Sequence, residues 1–241
     1  MKHLSILGLV LTISTLVPGS VLAGVEFTSN LTFGFPKDAI LSDYGFGSIS
    51  LGGTARLNYP LGKETSVYSP VVFAEIKYAD FGVENGYLPL VKSSPDQGVV
   101  TASDQYLLMF SGGLAYAKRA GFLRPYIQAK GGVTYHAALS RIVNSAALSA
   151  PIFEMMENTN AAWHTGVGAG MKIGLWQSSP ETASKIINNI YLDISFDYMI
   201  GGKIEYLDYR SITFGSETLN YQLSQPDIRI MFFNIGTTLV F

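Results

Sequence analysis

The feature that most constrains the fold of this 241-residue chain is an alternation of apolar and polar residues with a period of two. In the last segment, every second residue from Met231 to Phe241 (MFITLF) belongs to an apolar set, and the residues between them are smaller or more polar. This period is typical of a β-strand, in which successive side chains point to opposite faces. Eight segments alternate in this way: 25–33, 48–59, 72–79, 105–116, 126–137, 163–176, 189–200 and 230–241.

Charged residues are confined to one face of these segments. The apolar faces contain no Asp, Glu, Lys or Arg, and the opposite faces are mostly Gly, Ser, Thr and Ala. A Lys or Arg on a lipid-facing strand costs about 2–4 kcal/mol at the middle of a bilayer, which explains such an exclusion. Only 14% of the residues are charged, against about 25% in soluble domains. Open strand edges cannot exist in lipid, so the pattern predicts an all-β fold: an eight-stranded antiparallel transmembrane β-barrel with an up-and-down meander topology.

The links between the segments also suit a membrane barrel, which has short turns at one end and longer loops at the other. The predicted short links are 60–68, 118–124 and 177–185, and the long ones are 34–45, 82–104, 139–160 and roughly 205–225. Within the last of these, 206–223 suggests a β-hairpin that turns near Gly215 and Ser216. Aromatic residues at the segment ends predict two interfacial girdles, with Tyr59, Tyr116, Phe122, Tyr126 and Trp176 at one end and Tyr44, Phe81, Tyr106, Tyr135, Trp163 and Tyr206 at the other.

The N-terminus predicts export across the inner membrane. A short basic start (Met1-Lys2-His3) precedes the apolar run 4–17, a Pro-Gly break and the small-residue sequence ending at Ala23. The run is too short for a spanning helix and ends at a cleavage pattern, so residues 1–23 are predicted to be a cleaved signal peptide. Residues 24–241 are then the barrel domain, and the expected location is the cell outer membrane.

Two stretches resemble a known superfamily. The C-terminal strand, with Met231, Phe233, Ile235, Leu239 and a final Phe241 on one face, resembles the assembly signal of Gram-negative outer-membrane barrels. The segment 45–62 (GFGSISLGGTARLNYPLG) looks like a strand of the OmpA-like, OmpX-like, opacity-type and porin-family-like small barrels. The resemblance implies that these C-terminal residues are recognised by the barrel-assembly machinery.

The inward face predicts an internal ion-pair network, since an eight-stranded barrel is only wide enough for side chains to fill. Four acidic and four basic residues share this face: Glu26, Glu75, Asp193 and Asp197, with Arg56, Lys77, Lys130 and Lys172. Gly166, Gly168 and Gly170 are expected to make room for longer neighbours. A small porin that passes ions or small solutes is the alternative, but it is disfavoured by the bulky inward residues Phe73, Leu107, Met109, Tyr126, Tyr191 and Phe232.

Two inward histidines, His136 and His164, raise the question of metal or catalytic chemistry. Two histidines alone make a poor zinc site. The simpler interpretation is that they are polar residues at the solvated mouth of the barrel lumen. Ser140 with Glu154 or Glu157 could complete a Ser/His/Glu set like that of lipid A deacylases, but those enzymes act on the lipid-facing side. No catalytic residue, metal or cofactor is therefore expected, and a lipid A-modifying enzyme is the least favoured function.

Function is expected to lie in the long loops, because specificity on rigid scaffolds is carried by loops. The 139–160 link is unusually apolar for an exposed loop and could be a contact surface. The predicted function is non-enzymatic: envelope integrity, or adhesin-like interaction with a host or envelope partner. The formal net charge of −2 gives no basic footprint for nucleic acid. Outer-membrane lipid, lipopolysaccharide and the assembly machinery are the other expected partners of a monomeric barrel.

Overall fold

The computed structural model describes residues 24–37, 49–61, 66–89, 98–144, 151–178, 187–214 and 219–241. The strands are β1 (Glu26–Pro36), β2 (Ser50–Pro60), β3 (Tyr68–Pro89), β4 (Gly98–Lys118), β5 (Leu123–Asn144), β6 (Pro151–Gln177), β7 (Asn189–Lys203), β8 (Tyr206–Phe214), β9 (Leu219–Ser224) and β10 (Asp227–Val240). Among these residues, no helix is long and apolar enough to cross a membrane. The predicted signal peptide lies outside the described residues, so that prediction is untested.

Eight of the strands form a closed antiparallel barrel in the order β1-β2-β3-β4-β5-β6-β7-β10. The barrel closes between β1 and β10, where Phe27 pairs with Leu239. Backbone bonds beyond this ladder join the same strand ends, from Gly24 N to Phe241 O at 2.8 Å and from Phe241 N to Val25 O at 3.0 Å. The predicted fold class and the meander are thereby confirmed, since each barrel strand pairs with its neighbours along the chain.

The outer wall of the barrel is apolar. Outward side chains such as Leu31, Leu114 and Val167 are more than half exposed. Between the aromatic levels, the outward residues of the described barrel strands carry no charge. Such a wall suits lipid rather than water, so the molecule is a transmembrane β-barrel.

The aromatic girdles differ from the prediction in two residues. Tyr59, Tyr116, Phe122 and Trp176 are exposed at one end, where Tyr116 stacks on Tyr68 at 5.8 Å, and Tyr106, Tyr135 and Trp163 are exposed at the other. Tyr126 and Phe81 are instead buried inside the barrel, because both stand on the inward face of their strands. Tyr44 and the side chain of Tyr206 lie outside what the structure describes.

The two ends of the barrel are built differently, and each is named here. The turn end holds Gly24, Phe241 and the links after β2, β4 and β6; the extended end is the opposite one. Four adjacent strands run past the others at the extended end, since β3 to β6 have 22, 21, 22 and 27 residues, against 11 in each of β1 and β2.

These long strands correct the predicted loops. Residues 82–89 and 98–104 of the predicted 82–104 link continue β3 and β4, and residues 139–144 and 151–160 of the other link continue β5 and β6. Once the strands leave the lipid, nothing requires an apolar outward face, so their alternation disappears while their pairing continues. The expected hairpin within 206–223 is present as the separate pair β8–β9, and its tip lies outside the described residues.

Two apolar clusters fill the interior at different heights. The larger lies toward the extended end and consists of Ala79, Phe81, Leu107, Met109, Ala162, Met199, Ile204, Ile228, Ile230 and Phe232. The smaller lies toward the turn end and consists of Val71, Phe73, Ala115, Ala117 and Tyr126. Polar side chains occupy the section between them.

Candidate functional site

The centre of the barrel holds four charged groups in contact. Lys77 Nζ and Lys130 Nζ each lie 2.9 Å from Asp197 Oδ2, and Lys130 Nζ also lies 2.7 Å from Glu75 Oε1. Lys77 Nζ is 3.9 Å from the same Glu75 oxygen. The four residues come from β3, β5 and β7, and all are buried. Two ammonium groups and two carboxylates balance their charges here, which buried ions require.

Uncharged polar groups complete the bonding of Asp197. Gln128 Nε2 donates to Asp197 Oδ1 at 2.5 Å, and Asn234 Nδ2 donates to Oδ2 at 3.1 Å. Lys77 Nζ donates in turn to Asn234 Oδ1 at 3.1 Å. Asp197 therefore accepts from four donors, so it is the hub of the central network.

Arg56 lies beside this network without a carboxylate as its nearest partner. Its Nε donates to Asn58 Oδ1 at 2.7 Å, its Nη1 donates to Gln128 Oε1, and its guanidinium carbon lies 3.8 Å from the centroid of the Phe73 ring. The ring supplies a cation–π contact in a buried setting. Arg56 thus joins the smaller apolar cluster to the central network.

A second charged cluster closes the interior at the turn end. Arg124 Nη2 donates to Glu26 Oε1 at 2.5 Å, and Lys172 Nζ donates to Glu26 Oε2. Nearby, Asp193 accepts from the Tyr126 hydroxyl at 2.9 Å. Arg124 was absent from the predicted eight residues because it was assigned to a turn. Continuing the inward parity of Tyr126, Gln128 and Lys130 one step toward the start of β5 would have found it.

The predicted role of the glycines is confirmed by their surroundings. A Cβ on Gly168 would lie 2.3 Å from Asp197 Oδ1, one on Gly170 would lie 2.5 Å from the Tyr126 ring, and one on Gly166 would lie 2.8 Å from a backbone oxygen. These distances are below any real Cβ contact. Gly168 and Gly170 therefore leave the space that Asp197 and Tyr126 occupy, and Gly166 leaves space for Met199 and the backbone of β7.

The two histidines do not stand at a wet mouth as expected; both are buried. His164 Nε2 is 2.8 Å from Ser111 Oγ, and its Nδ1 is 2.8 Å from Thr134 Oγ1. His136 Nε2 is 3.4 Å from Gln105 Oε1. The correction has a physical reason: members of the larger apolar cluster adjoin them, since Leu107 is paired with His136 and Ala162 is the inward neighbour of His164 on β6, and inward parity alone does not indicate this burial.

The geometry favours packing over chemistry. In the described part of the chain, no three His, Cys, Asp or Glu side chains come together as metal ligands. The Ser–His–Thr arrangement around His164 is buried inside the barrel. The side chains of Ser140, Glu154 and Glu157 lie outside what the structure describes, so the catalytic set drawn from the sequence is untested.

Comparison with known proteins gives likenesses among solved structures. No family model matches the chain, and no curated protein matches its sequence. The chain is similar to Neisserial surface protein A, with a TM-score of 0.46 and 12% identity over 91% of this chain and 98% of that one. It is also similar to Ail, the attachment invasion locus protein of Yersinia pestis, solved with the heparin analogue sucrose octasulfate, with a TM-score of 0.42 and 10% identity over 90% of this chain and 96% of that one.

Proposed function

We propose that this chain is a non-enzymatic outer-membrane protein that holds a protruding β-sheet at the cell surface for interaction with a host or envelope partner. The observation that carries the proposal is a contrast within one molecule. The interior is filled by side chains, while β3 to β6 continue well beyond the barrel wall. A filled interior leaves the extended end as the part of the molecule that can meet a partner.

The protruding sheet is built from paired backbone. Pairing of β3 with β4 continues from Val83–Asp104 to Pro89–Gly98, and pairing of β5 with β6 continues to Val143–Pro151. The neighbours on either side stop earlier, because β2 ends its pairing with β3 at Asp80, and β7 ends its pairing with β6 at His164.

The protruding sheet therefore has two edges in the described part of the chain, along 83–89 of β3 and along 151–163 of β6. Sheet edges present backbone N–H and C=O groups with which an extended segment of another protein can pair. This geometry supports an interaction role better than a role confined to the membrane.

The porin alternative finds no support in the interior. The six bulky inward residues that disfavoured it, Phe73, Leu107, Met109, Tyr126, Tyr191 and Phe232, are all buried. The larger apolar cluster occupies the lumen between the charged network and the extended end. Ions entering there would have to cross an apolar section that offers no partner for their charge. Burying an unpaired charge is costly.

The remaining partners follow from the location. Outer-membrane lipid and lipopolysaccharide would surround the apolar wall of a monomeric barrel. Met231, Phe233, Ile235, Leu239 and Phe241 stand on the outward side of the closing strand, opposite buried Phe232, Asn234 and Thr238. That placement supports their proposed recognition by the barrel-assembly machinery.

Surface display is tested by labelling single cysteines, since the chain has none of its own. Gly86→Cys lies in the protruding part of β3, and Ala120→Cys is the matched control at the turn end. In intact Gram-negative cells that express the chain, a membrane-impermeant maleimide should label Gly86→Cys and leave Ala120→Cys unlabelled until the cells are broken. The reverse pattern would contradict the proposed orientation, and equal labelling would contradict the membrane location.

The interaction role is tested by replacing 83–103 and 139–158 with two-residue Asn-Gly turns, which suit short hairpins. The control removes β8–β9 (206–224) instead. Adhesion of expressing cells to cultured epithelial cells and their sensitivity to detergent are both measured. Loss of adhesion only in the shortened-sheet variant supports surface interaction. Unchanged adhesion with increased detergent sensitivity would replace it with a role in envelope integrity.

A further inference from the structure

We propose that His136 is an acid-sensitive latch, which holds the β8–β9 pair in its position at the extended end and releases it when the imidazole is protonated. The latch involves neither the protruding sheet nor the partner of that sheet. It therefore goes beyond the proposed surface interaction and does not depend on it.

The β8–β9 pair is attached to the barrel by two short connectors. The two strands form a sheet of their own, separate from the closed barrel. The connectors, 204–205 and 225–226, link this sheet to β7 and β10. Pairing of β7 with β10 changes register between Asp227 and Arg229, beside the connectors. Short segments at the ends of strands are where hinges occur, so the β8–β9 pair can move as a unit against the barrel.

The connectors bind each other and enter the mouth of the barrel. Ile204 N donates to Pro226 O at 3.1 Å, and Gln225 Nε2 donates to Glu205 Oε1 at 2.5 Å. Ile204 is buried and belongs to the larger apolar cluster. The bonds within the connectors do not fix them to the barrel. The position of the β8–β9 pair therefore depends on what the connectors contact inside it.

His136 provides such a contact. It stands on the inward face of β5 and is fully buried. Its ring hydrogen-bonds the backbone of Glu205, although β6 lies between β5 and β7 in the barrel. Pairing of β5 with β6 changes register between His136 and Ala138, and such bulges re-aim side chains. One side chain from the barrel wall thus reaches the connector across a neighbouring strand.

The surroundings of the ring suit a neutral imidazole better than a charged one. Its pairing partner on β4 is Leu107, and both Leu107 and Ile204 belong to the larger apolar cluster. The polar contacts are the Glu205 backbone and Gln105 Oε1, which lies 3.4 Å from His136 Nε2. These two contacts do not replace the hydration of an imidazolium. Because the connector is the movable wall of this site, hydration of the charged ring should displace it.

The charged groups on the neighbouring elements are already engaged or face away, in the part of the chain that the structure describes. The Glu205 carboxylate accepts from Gln225, and His164 on β6 is bonded to Ser111 and Thr134. Lys77, Lys130 and Asp197 bind one another in the central network. The remaining charged side chains near this level are outward or exposed: Asp80 on β3, Asp104 on β4, Lys203 on β7, and Asp227 and Arg229 on β10.

Distances between two spin labels on the full-length chain, refolded into phosphatidylcholine vesicles, test the latch. Labels at Ala120→Cys and Gln222→Cys join the turn end to β9, and labels at Ala120→Cys and Gly86→Cys join it to the protruding part of β3 as the matched control. A released histidine titrates near about pH 6.5. Protonation then favours the displaced state, so displacement grows as the pH falls.

The expected response follows from linkage between protonation and release. The ratio of displaced to seated β8–β9 pairs should rise about tenfold for each pH unit below about 6.5, which is about a hundredfold between about pH 8 and about pH 4.5. The control distance should stay constant. His136→Gln remains polar but cannot be charged, so it should keep the seated distance at both pH values. His136→Asn makes the same test if the Gln variant does not fold, and His164→Gln should leave the acid response intact.

Four results would overturn the proposal. The first is a distance from residue 120 to residue 222 that does not change at about pH 4.5. The second is an acid response that survives in His136→Gln or His136→Asn, and the third is a response that His164→Gln abolishes. The fourth is an equal change in the control distance, which would mean that acid disturbs the whole extended end rather than this latch.

Discussion

The middle of the barrel interior and its outer section, which lies toward the extended end, are both buried, but different interactions stabilise them. The middle contains Lys77, Lys130, Glu75 and Asp197, with almost every charge bonded to a named partner. The outer section, toward the extended end, contains apolar side chains such as Leu107, Met109 and Met199, which need only to fill space. The difference teaches that a narrow barrel can be closed by pairing or by packing, and that the two sections should respond differently to substitution.

Loss of the hub carboxylate should have the largest effect. Asp197→Asn keeps the size of the side chain but leaves Glu75 as the one carboxylate that Lys77 and Lys130 contact in the described structure. Breaking a buried ion pair on one side costs about 3–5 kcal/mol, so the free energy of unfolding should fall by that amount. Urea unfolding in phospholipid vesicles, followed by tryptophan fluorescence, measures it. Asp227→Asn, at an exposed carboxylate of β10, should change little; equal losses in the two variants would contradict the role of Asp197.

The outer section should lose stability through a cavity rather than through an unpaired charge. Leu107→Ala empties a fully buried position and should cost about 3–4 kcal/mol. Leu114→Ala, on the lipid-facing side of the same strand, should leave no cavity, because lipid fills the space. It should cost only the free energy of transferring the lost side-chain atoms from water to an apolar environment, about 2 kcal/mol. The same unfolding measurement compares them, and identical costs would mean that the outer section is not tightly packed.

A smaller loss of stability is expected when a methyl group is added to a glycine beside the network, because every charge there keeps its partner. Gly168→Ala places a Cβ 2.3 Å from Asp197 Oδ1 and 2.7 Å from Phe196 O, which forces a shift. Overpacking of this kind costs about 1–3 kcal/mol. Gly112→Ala is the matched control, since its nearest neighbour would be 3.9 Å away. A Gly168→Ala protein as stable as the control would show that the side chains around Asp197 are loosely packed and can shift without loss of stability.

The sequence predicted the wall and the inward residues well, because lipid on one side forces every strand to keep its parity. The same parity explains the errors. Tyr126 and Phe81 were assigned to girdles by their position at segment ends, although their parity placed them inside. The protruding parts of β3 to β6 were taken for loops because, outside lipid, strands no longer need an apolar face.

The pairings within the interior could not be predicted from parity. It states that Lys77 and Asp197 face the lumen but not that they meet across it, since this depends on strand tilt and stagger. The burial of His136 and His164 was missed for a related reason. How far the apolar cluster rises around them depends on residues from β7 and β10 that lie far away in the chain.

The central claim is that packed side chains close the barrel, so that its function lies outside the lumen. Single-channel conductance of the refolded chain in a planar bilayer tests this most directly, with insertion shown independently by resistance of the barrel to added protease. The account predicts a silent bilayer. Stable, reproducible current steps that change when Lys77, Lys130 or Asp193 is neutralised would contradict it and would make the charged network the lining of a pore.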